Sequence, residues 1–188
     1  MIIFDTETTG LCKAANAPLK QQPQIIEFAA IKVEPTGKGT KLKEVDRLEF
    51  LCNPGAPLAE IITTLTGLTD KDLKGLPSFA HFYPALVKFF VGENTMTAHN
   101  VEFDRNLLKF ELMRMDRLLQ FPWPARHICT IEQSFSIAGK KQNLSNLHKI
   151  ATGDTFEGAH RAMADTEALF RCVQFLHDKG LFMKKKGK

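Results

Sequence analysis

Asp5 and Glu7 stand two residues apart where a short apolar run, MIIF, passes into the stretch FDTETTG (4–10). In a strand alternate side chains share a face, so Asp5 and Glu7 point one way and Thr6 the other. Two carboxylates side by side repel, and burying either without a partner is costly. A hard divalent cation held through oxygen relieves both at once. The competing reading is a strand end whose acids are solvated.

Two further acids occupy positions where the pattern asks for hydrophobes. In VEFDRNLLKFELMRMDRLLQ (101–120) the helical stripe Val101, Leu108, Leu112, Met115, Leu119 runs through Asp104. An acid on an inward face is either paired with a base or held for a metal. A place near a helix N-terminus is also favoured by the helix dipole. Arg105 and Arg114 point elsewhere by helical spacing, which leaves Asp104 without an obvious local partner. Asp165 shares a stripe with Ala162, Leu169 and Cys172 in HRAMADTEALFRCVQFLHDKG (160–180). On one continuous helix His160 would lie about 140° away from Asp165. Gly158 instead suggests an irregular lead-in that carries His160, with Asp165 on the helix proper. A lone histidine is more often structural or on the surface than catalytic.

The elements that must position these groups follow from periodicity. After the opening strand, residues 11–23 hold two prolines and no repeat, and read as a loop. QIIEFAAIKV (24–33) alternates with apolar residues on both faces, a strand buried on both sides. Glu27 on that strand reads as a structural hydrogen-bonding acid rather than a metal ligand. A turn over 34–39 leads into KLKEVDRLEFLCNP, the returning strand of an antiparallel hairpin. LAEIITTLTGLTD is a short segment that ends in Gly and Thr, where the character of the chain changes. SFAHFYPALVKFFVG is an amphipathic helix interrupted or entered at Pro84. NTMTAHN is a strand, and Asn100 is placed to cap the helix that follows. FPWPARHICT leads through two prolines into another strand. TIEQSFSIAG and QNLSNLHKIATG are short helices before the long last one. A hairpin first, then strands alternating with helices, predicts an α/β fold, a mixed sheet flanked by helices.

Composition narrows the function classes. At 188 residues the chain is one domain with room for a substantial core. No apolar run reaches the roughly 20 residues that span a bilayer, and no secretion signal is expected at the N-terminus. Cys12, Cys52, Cys129 and Cys172 are scattered without a CxxC pair, which fits free thiols in a cytoplasmic protein. The net charge of +4 is owed to Lys184, Lys185, Lys186 and Lys188; without them 21 basic residues face 21 acidic ones. The body is therefore not a highly basic binder. Residues 181–188 read as a short basic tail, a solubilising end rather than a phosphate-binding arm.

Taken together, FDTETTG, then HNVEFD (99–104), then HRAMAD (160–165) resemble the three motifs of the DnaQ-like 3′→5′ exonucleases, DEDDh subgroup. QIIEFAAIKV, LTGLT and LSNLHKIATG are similar to the connecting segments of that family, so the resemblance covers residues 1–180. It implies a ribonuclease H-like sheet, antiparallel strands first and parallel strands after. It also implies two Mg²⁺ ions, for which Mn²⁺ can substitute, held by Asp5, Glu7, Asp104 and Asp165, with His160 as general base. Thr8 and Thr9 would receive the terminal nucleotide, with Leu11 or Phe103 against its base. Asn100 would be a cap or a substrate hydrogen-bonder and His99 structural. The implied products are 5′-mononucleotides from a nucleic acid with a free 3′ end. DNA is preferred over RNA, with exoribonuclease or oligoribonuclease activity as the alternative. An intact set of four acids and a histidine argues against a noncatalytic binding module. No polymerase domain is expected in the chain, so proofreading would call for a polymerase in trans. A free-standing enzyme is favoured, and nothing in the sequence decides between monomer and dimer.

Overall fold

The computed structural model describes residues 1–37 and 41–181. Five strands form one sheet: β1 Ile2–Thr8, β2 Ile25–Pro35, β3 Leu42–Leu51, β4 Thr95–Ala98 and β5 Arg126–Cys129. Their order across the sheet is β3-β2-β1-β4-β5. The first three pair antiparallel, and β4 and β5 then join parallel to β1. This is the mixed sheet expected from a hairpin followed by alternating strands and helices. Part of the turn expected over 34–39, and nearly all of the basic tail, lie outside the described residues.

Among the described residues seven α-helices flank the sheet: α1 Glu60–Thr66, α2 Asp70–Leu73, α3 Tyr83–Phe90, α4 Val101–Arg114, α5 Thr130–Ala138, α6 Leu144–Thr152 and α7 Ala162–Asp178. Alternation along β1 divides the core. Ile2 and Phe4 pack with α3 and α4, against Leu86, Phe90, Leu107 and Leu108. Ile3 faces the opposite layer, with Leu147 of α6 and Leu169, Cys172 and Val173 of α7. Pro84 enters α3 rather than breaking it: a 3-10 turn over Phe79–Phe82 leads in, and the proline sits in the first helical turn, where its missing N–H costs nothing.

Two sequence expectations need correction. The helix expected over 101–120 stops at Arg114. Asp116 takes a positive φ of 55°, and the Arg117 N–H turns back to the Leu112 carbonyl at 2.8 Å, a chain reversal that ends the helix. Leu119, placed on the buried stripe, is therefore 94% exposed. The alternation of β2 also breaks at its start. Glu7 pairs with Glu27 and Thr8 with Ile25, so Ile26 is the extra residue of a β-bulge. Ile26 packs in a separate small cluster with Ile62, Leu68 and Leu73, while Ile25 joins Phe28 in the layer of α4. The bulge lies directly beside the acids of β1.

Candidate active site

The C-terminal half of β1 delivers Asp5, Thr6 and Glu7 to the mouth of a cavity of about 370 Å³. The β4–α4 junction adds His99, Asn100, Phe103 and Asp104 to its wall. The first turn of α6 adds Leu144 and Ser145, with Asn143 before them. The segment before α7 adds Ala159 and His160, and α7 itself adds Asp165. Four acids separated by up to 160 positions thus meet in one place, because β1 lies between the two helical layers that carry the other two.

Thr6 points to the α4 side, as alternation requires, and its Oγ1 donates to Asp104 Oδ1 at 2.7 Å. Both residues are buried. This is the partner that Asp104 lacked in the sequence: a hydroxyl from across the fold rather than a base on its own helix. Asp165 Oδ2 accepts the backbone N–H of His160 at 2.8 Å. That bond holds the segment before α7 against the helix it introduces. His160 lies outside the helix with φ at 67°, a conformation that L-residues adopt at a cost of about 1 kcal/mol or more. Its side chain is exposed. Ligand atoms of Glu7, His160 and Asp165 all lie within 4.8 Å of one another. Gly158 takes φ of 76°, and a Cβ there would stand 3.2 Å from Ala164 Cβ, so both backbone conformation and close approach to α7 favour glycine at that position.

Burial of the acids shows in their proton affinities. Burial, then the charges of Asp104, Asp165, Glu7 and Glu27, pushes Asp5 well above the carboxylate range. Burial followed by the charge of Asp165 raises Glu7 to about 8, and burial raises Asp165 to about 6. Asp104 rises to about 7 through burial, against the opposing hydrogen bond from Thr6. Burial is the leading cause of every shift, and neighbouring negative charge adds to it at Asp5, Glu7 and Asp165. The cation that does act on Glu7 is Arg161, and it is engaged elsewhere. Arg161 Nε and Nη2 both donate to Glu27, at 3.0 Å each, and the Ala162 N–H donates to the same carboxylate at 3.2 Å. Glu27 thus anchors the start of α7 to β2, which leaves the opposed Glu7 to the cavity. A cluster of hard oxygen donors is suited to a divalent cation.

The other residues singled out from sequence divide. Asn100 stands at the N-cap position of α4, but its side chain makes no capping bond; it is exposed at the cavity rim. Phe103 lines the cavity while packing on the core. Thr8, Thr9 and Leu11 do not line it. Thr8 Oγ1 donates to the Gly10 carbonyl at 2.7 Å and Thr9 Oγ1 accepts from the Gln24 N–H at 3.0 Å, while Leu11 is 77% exposed. His99 is held at Nδ1 by Thr130 Oγ1 at 2.9 Å, and burial lowers its proton affinity to about 4. Asn143, Leu144, Ser145 and Ala159 were not legible as site residues, since nothing in their types marks them. The N-cap of α6, where Asn143 Oδ1 accepts from the Asn146 N–H at 2.8 Å, was the available signal.

Comparison with known proteins bears on the fold and the family. The chain is 33% identical over 186 residues to the DNA polymerase III PolC-type protein of Staphylococcus haemolyticus, an alignment that takes in 96% of this chain and 12% of that protein. The counterpart from Halalkalibacterium halodurans is 37% identical over 116 residues, 61% of this chain and 7% of that one. The chain therefore spans only a small fraction of the curated relatives it matches. Among solved structures, the nuclease domain of a DEDDh family member bound to rAMP superposes with a TM-score of 0.73 over 100% of this chain and 96% of that one, at 16% identity, which shows the shared fold. No helix among the described residues is long and apolar enough to cross a membrane. Residues 2–173 match the family model for the RNase T-type exonucleases, described as "Exonuclease", a span that holds every acid of the cavity; the chain belongs to this DnaQ-like exonuclease family.

Proposed function

We propose that this chain removes nucleotides from the 3′ end of a nucleic acid, with DNA as the preferred substrate and 5′-mononucleotides as products. The observation that carries this reading is the convergence of Asp5, Glu7, Asp104 and Asp165 on one cavity, all with raised proton affinity. Two divalent cations, Mg²⁺ with Mn²⁺ as substitute, would supply charge stabilisation to the attacking and leaving oxygens of an in-line displacement at phosphorus. Asp5, on the central strand, would serve both ions, Glu7 and Asp165 one, and Asp104 the other. Thr6 orients the Asp104 carboxylate from behind. His160 is exposed at the rim beside Glu7 and Asp165, the place for a general base that takes the proton of the attacking water. Asn100 and Phe103 line the space left for the terminal nucleotide, and Thr8, Thr9 and Leu11 flank it. Residues 1–180 would form the catalytic unit and the basic tail an appendage.

The preference for DNA rests on the relatives: the matched proteins are DNA polymerases, and one solved structure of the same fold is an exonuclease X in complex with duplex DNA, at a TM-score of 0.63 and 21% identity. That likeness also supports work beside a polymerase, as a proofreading or repair activity inside the cell. The RNA reading is favoured by one observation, the rAMP bound to a fold neighbour. The deciding experiment is Mg²⁺-dependent mononucleotide release from 3′-labelled single-stranded DNA, duplex DNA and RNA. Release from DNA is expected, abolished by EDTA and reduced about a thousandfold by Asp5→Asn. Release from RNA alone would overturn the substrate preference, and undiminished release by Asp5→Asn would overturn the site.

A further inference from the structure

The proposed reaction leaves one group of charged side chains unused. Arg105 follows Asp104 on α4 and turns toward β5, where its Nη1 donates to His127 Nδ1 at 2.8 Å. Its Nε is buried and has no acceptor among the described residues. None of the ion pairs found among the described residues involves Arg105. Lys109 lies one helical turn further on the same face. Burial and then repulsion by Arg105 hold both Lys109 and His127 below their ordinary proton affinities. Glu102 is the acid that acts on Lys109, and its attraction is weaker than the repulsion from Arg105.

Such a group is unfavourable for the folded chain by itself. Like charges four residues apart oppose the helix, and a buried guanidinium N–H without an acceptor is an unpaid desolvation. An anion from outside would relieve the repulsion between the two cations. Arginine beside lysine is suited to phosphate, which a guanidinium can meet with two parallel N–H bonds.

Register fixes where that phosphate would lie. His127 pairs beside Met96, and Met96 beside Ile2, three residues before Asp5. Two strand spacings and three residue rises put His127, the far end of the cluster, roughly 14 Å from Asp5. Because the Arg105 guanidinium is drawn to His127, it is turned away from the bond being cut. Neighbouring phosphates on one strand rise about 3.4 Å along the helix axis but wind around it, so a straight-line separation of this size is that of roughly two phosphates or more.

We propose that Arg105 and Lys109, with His127 orienting the guanidinium, form a second phosphate site that grips the sugar–phosphate backbone of the substrate roughly two or more nucleotides from its 3′ end. The inference rests on the exonuclease reading above. It predicts that affinity grows with strand length until the backbone reaches α4 and β5, and that the gain is lost in salt.

The test compares kcat/KM for a 20-nucleotide DNA strand with that for a p-nitrophenyl ester of a nucleoside 5′-monophosphate, which is too short to reach the cluster. In Lys109→Gln and Arg105→Gln the ratio of strand to ester is expected to fall about fivefold, and the log–log salt dependence of strand binding to become shallower by about 0.7 per lost contact. Lys109→Gln, on a partly exposed position, keeps the test valid if Arg105→Gln fails to fold. An unchanged ratio and salt slope, with both substrates hydrolysed, would overturn the second site and leave the exonuclease reading standing. Failure of the wild-type protein to hydrolyse either substrate would overturn the exonuclease reading and this inference with it.

Discussion

Thr6 lies between two acids of its own strand, yet its hydroxyl serves a third acid on the opposite side of the sheet. A hydrogen bond donated to a carboxylate favours the charged form, so Thr6 works against the burial that raises Asp104. Thr6→Val keeps the shape and removes the donor. The expected loss is about 1–2 kcal/mol of stabilisation of the charged carboxylate, read as an about tenfold fall in kcat/KM. The acid limb of the pH–rate profile should move to higher pH, and Thr6→Ser should restore both. Steady-state rates between pH 5 and 9 decide it; a profile that stays in place in Thr6→Val would remove Thr6 from the site. Asp5→Asn separates charge from fold in another way. Removing one of several mutually repelling acids should leave the melting temperature of the metal-free protein unchanged or higher while release collapses. A large drop in melting temperature would mean that Asp5 is structural.

At the scale of elements, the start of α7 is held by two devices. Glu27 on β2 receives Arg161 and the Ala162 N–H, and Asp165 receives the N–H of His160. The Arg161 side chain is 45% exposed, so solvent screens part of the ion pair. Glu27→Gln should cost about 2 kcal/mol and speed amide exchange in the first turn of α7, measured by denaturant unfolding and hydrogen exchange. Gly158→Ala imposes a side chain at φ of 76° and a contact of 3.2 Å with Ala164. Because the strained segment carries His160, the expectation is a loss of about 1 kcal/mol in stability but a larger loss in kcat. Equal losses, or a loss in stability alone, would show that His160 is placed independently of this loop. The bulge at Ile26 belongs to the same scale, since it sits where Glu7 and Glu27 oppose each other across two strands.

Across the whole molecule, proton binding at the site is linked to stability. Asp165 at about 6, Glu7 at about 8 and the raised Asp5 and Asp104 all bind protons in the folded state at pH values where an unfolded chain has released them. Their contribution is fully present below about pH 4, the unfolded carboxylate range, and is lost as pH rises through the folded values. With more protons bound in the folded state, stability must fall as pH increases. The metal-free protein should therefore lose melting temperature between about pH 5 and pH 8. Mg²⁺ or Mn²⁺ should restore it, with a shift that grows with pH because the cation displaces those protons. Calorimetry in EDTA and in excess cation, across that range, tests both signs. A cation-induced shift that shrinks as pH rises would contradict a site built of protonated acids.

Patterns carried by a few neighbouring residues were decisive at the level of sequence. Alternation put Asp5 and Glu7 on one face of β1, helical periodicity exposed Asp104 and Asp165 as acids on apolar stripes, and Gly158 marked His160 as lying before its helix. Each depends on local backbone geometry, which the chain specifies within a few residues. The order of hairpin, strands and helices was enough for the mixed sheet. Contacts between distant segments could not be read in this way. The hydroxyl of Thr6 on Asp104 joins positions 98 apart, and the clasp of Arg161 on Glu27 joins positions 134 apart. The stop of α4 at Arg114 and the bulge at Ile26 were settled by packing and by a chain reversal that no periodicity announces. The cationic patch of Arg105, Lys109 and His127 was hidden for the same reason: a net charge counts residues, and only the tertiary fold decides which of them share a surface.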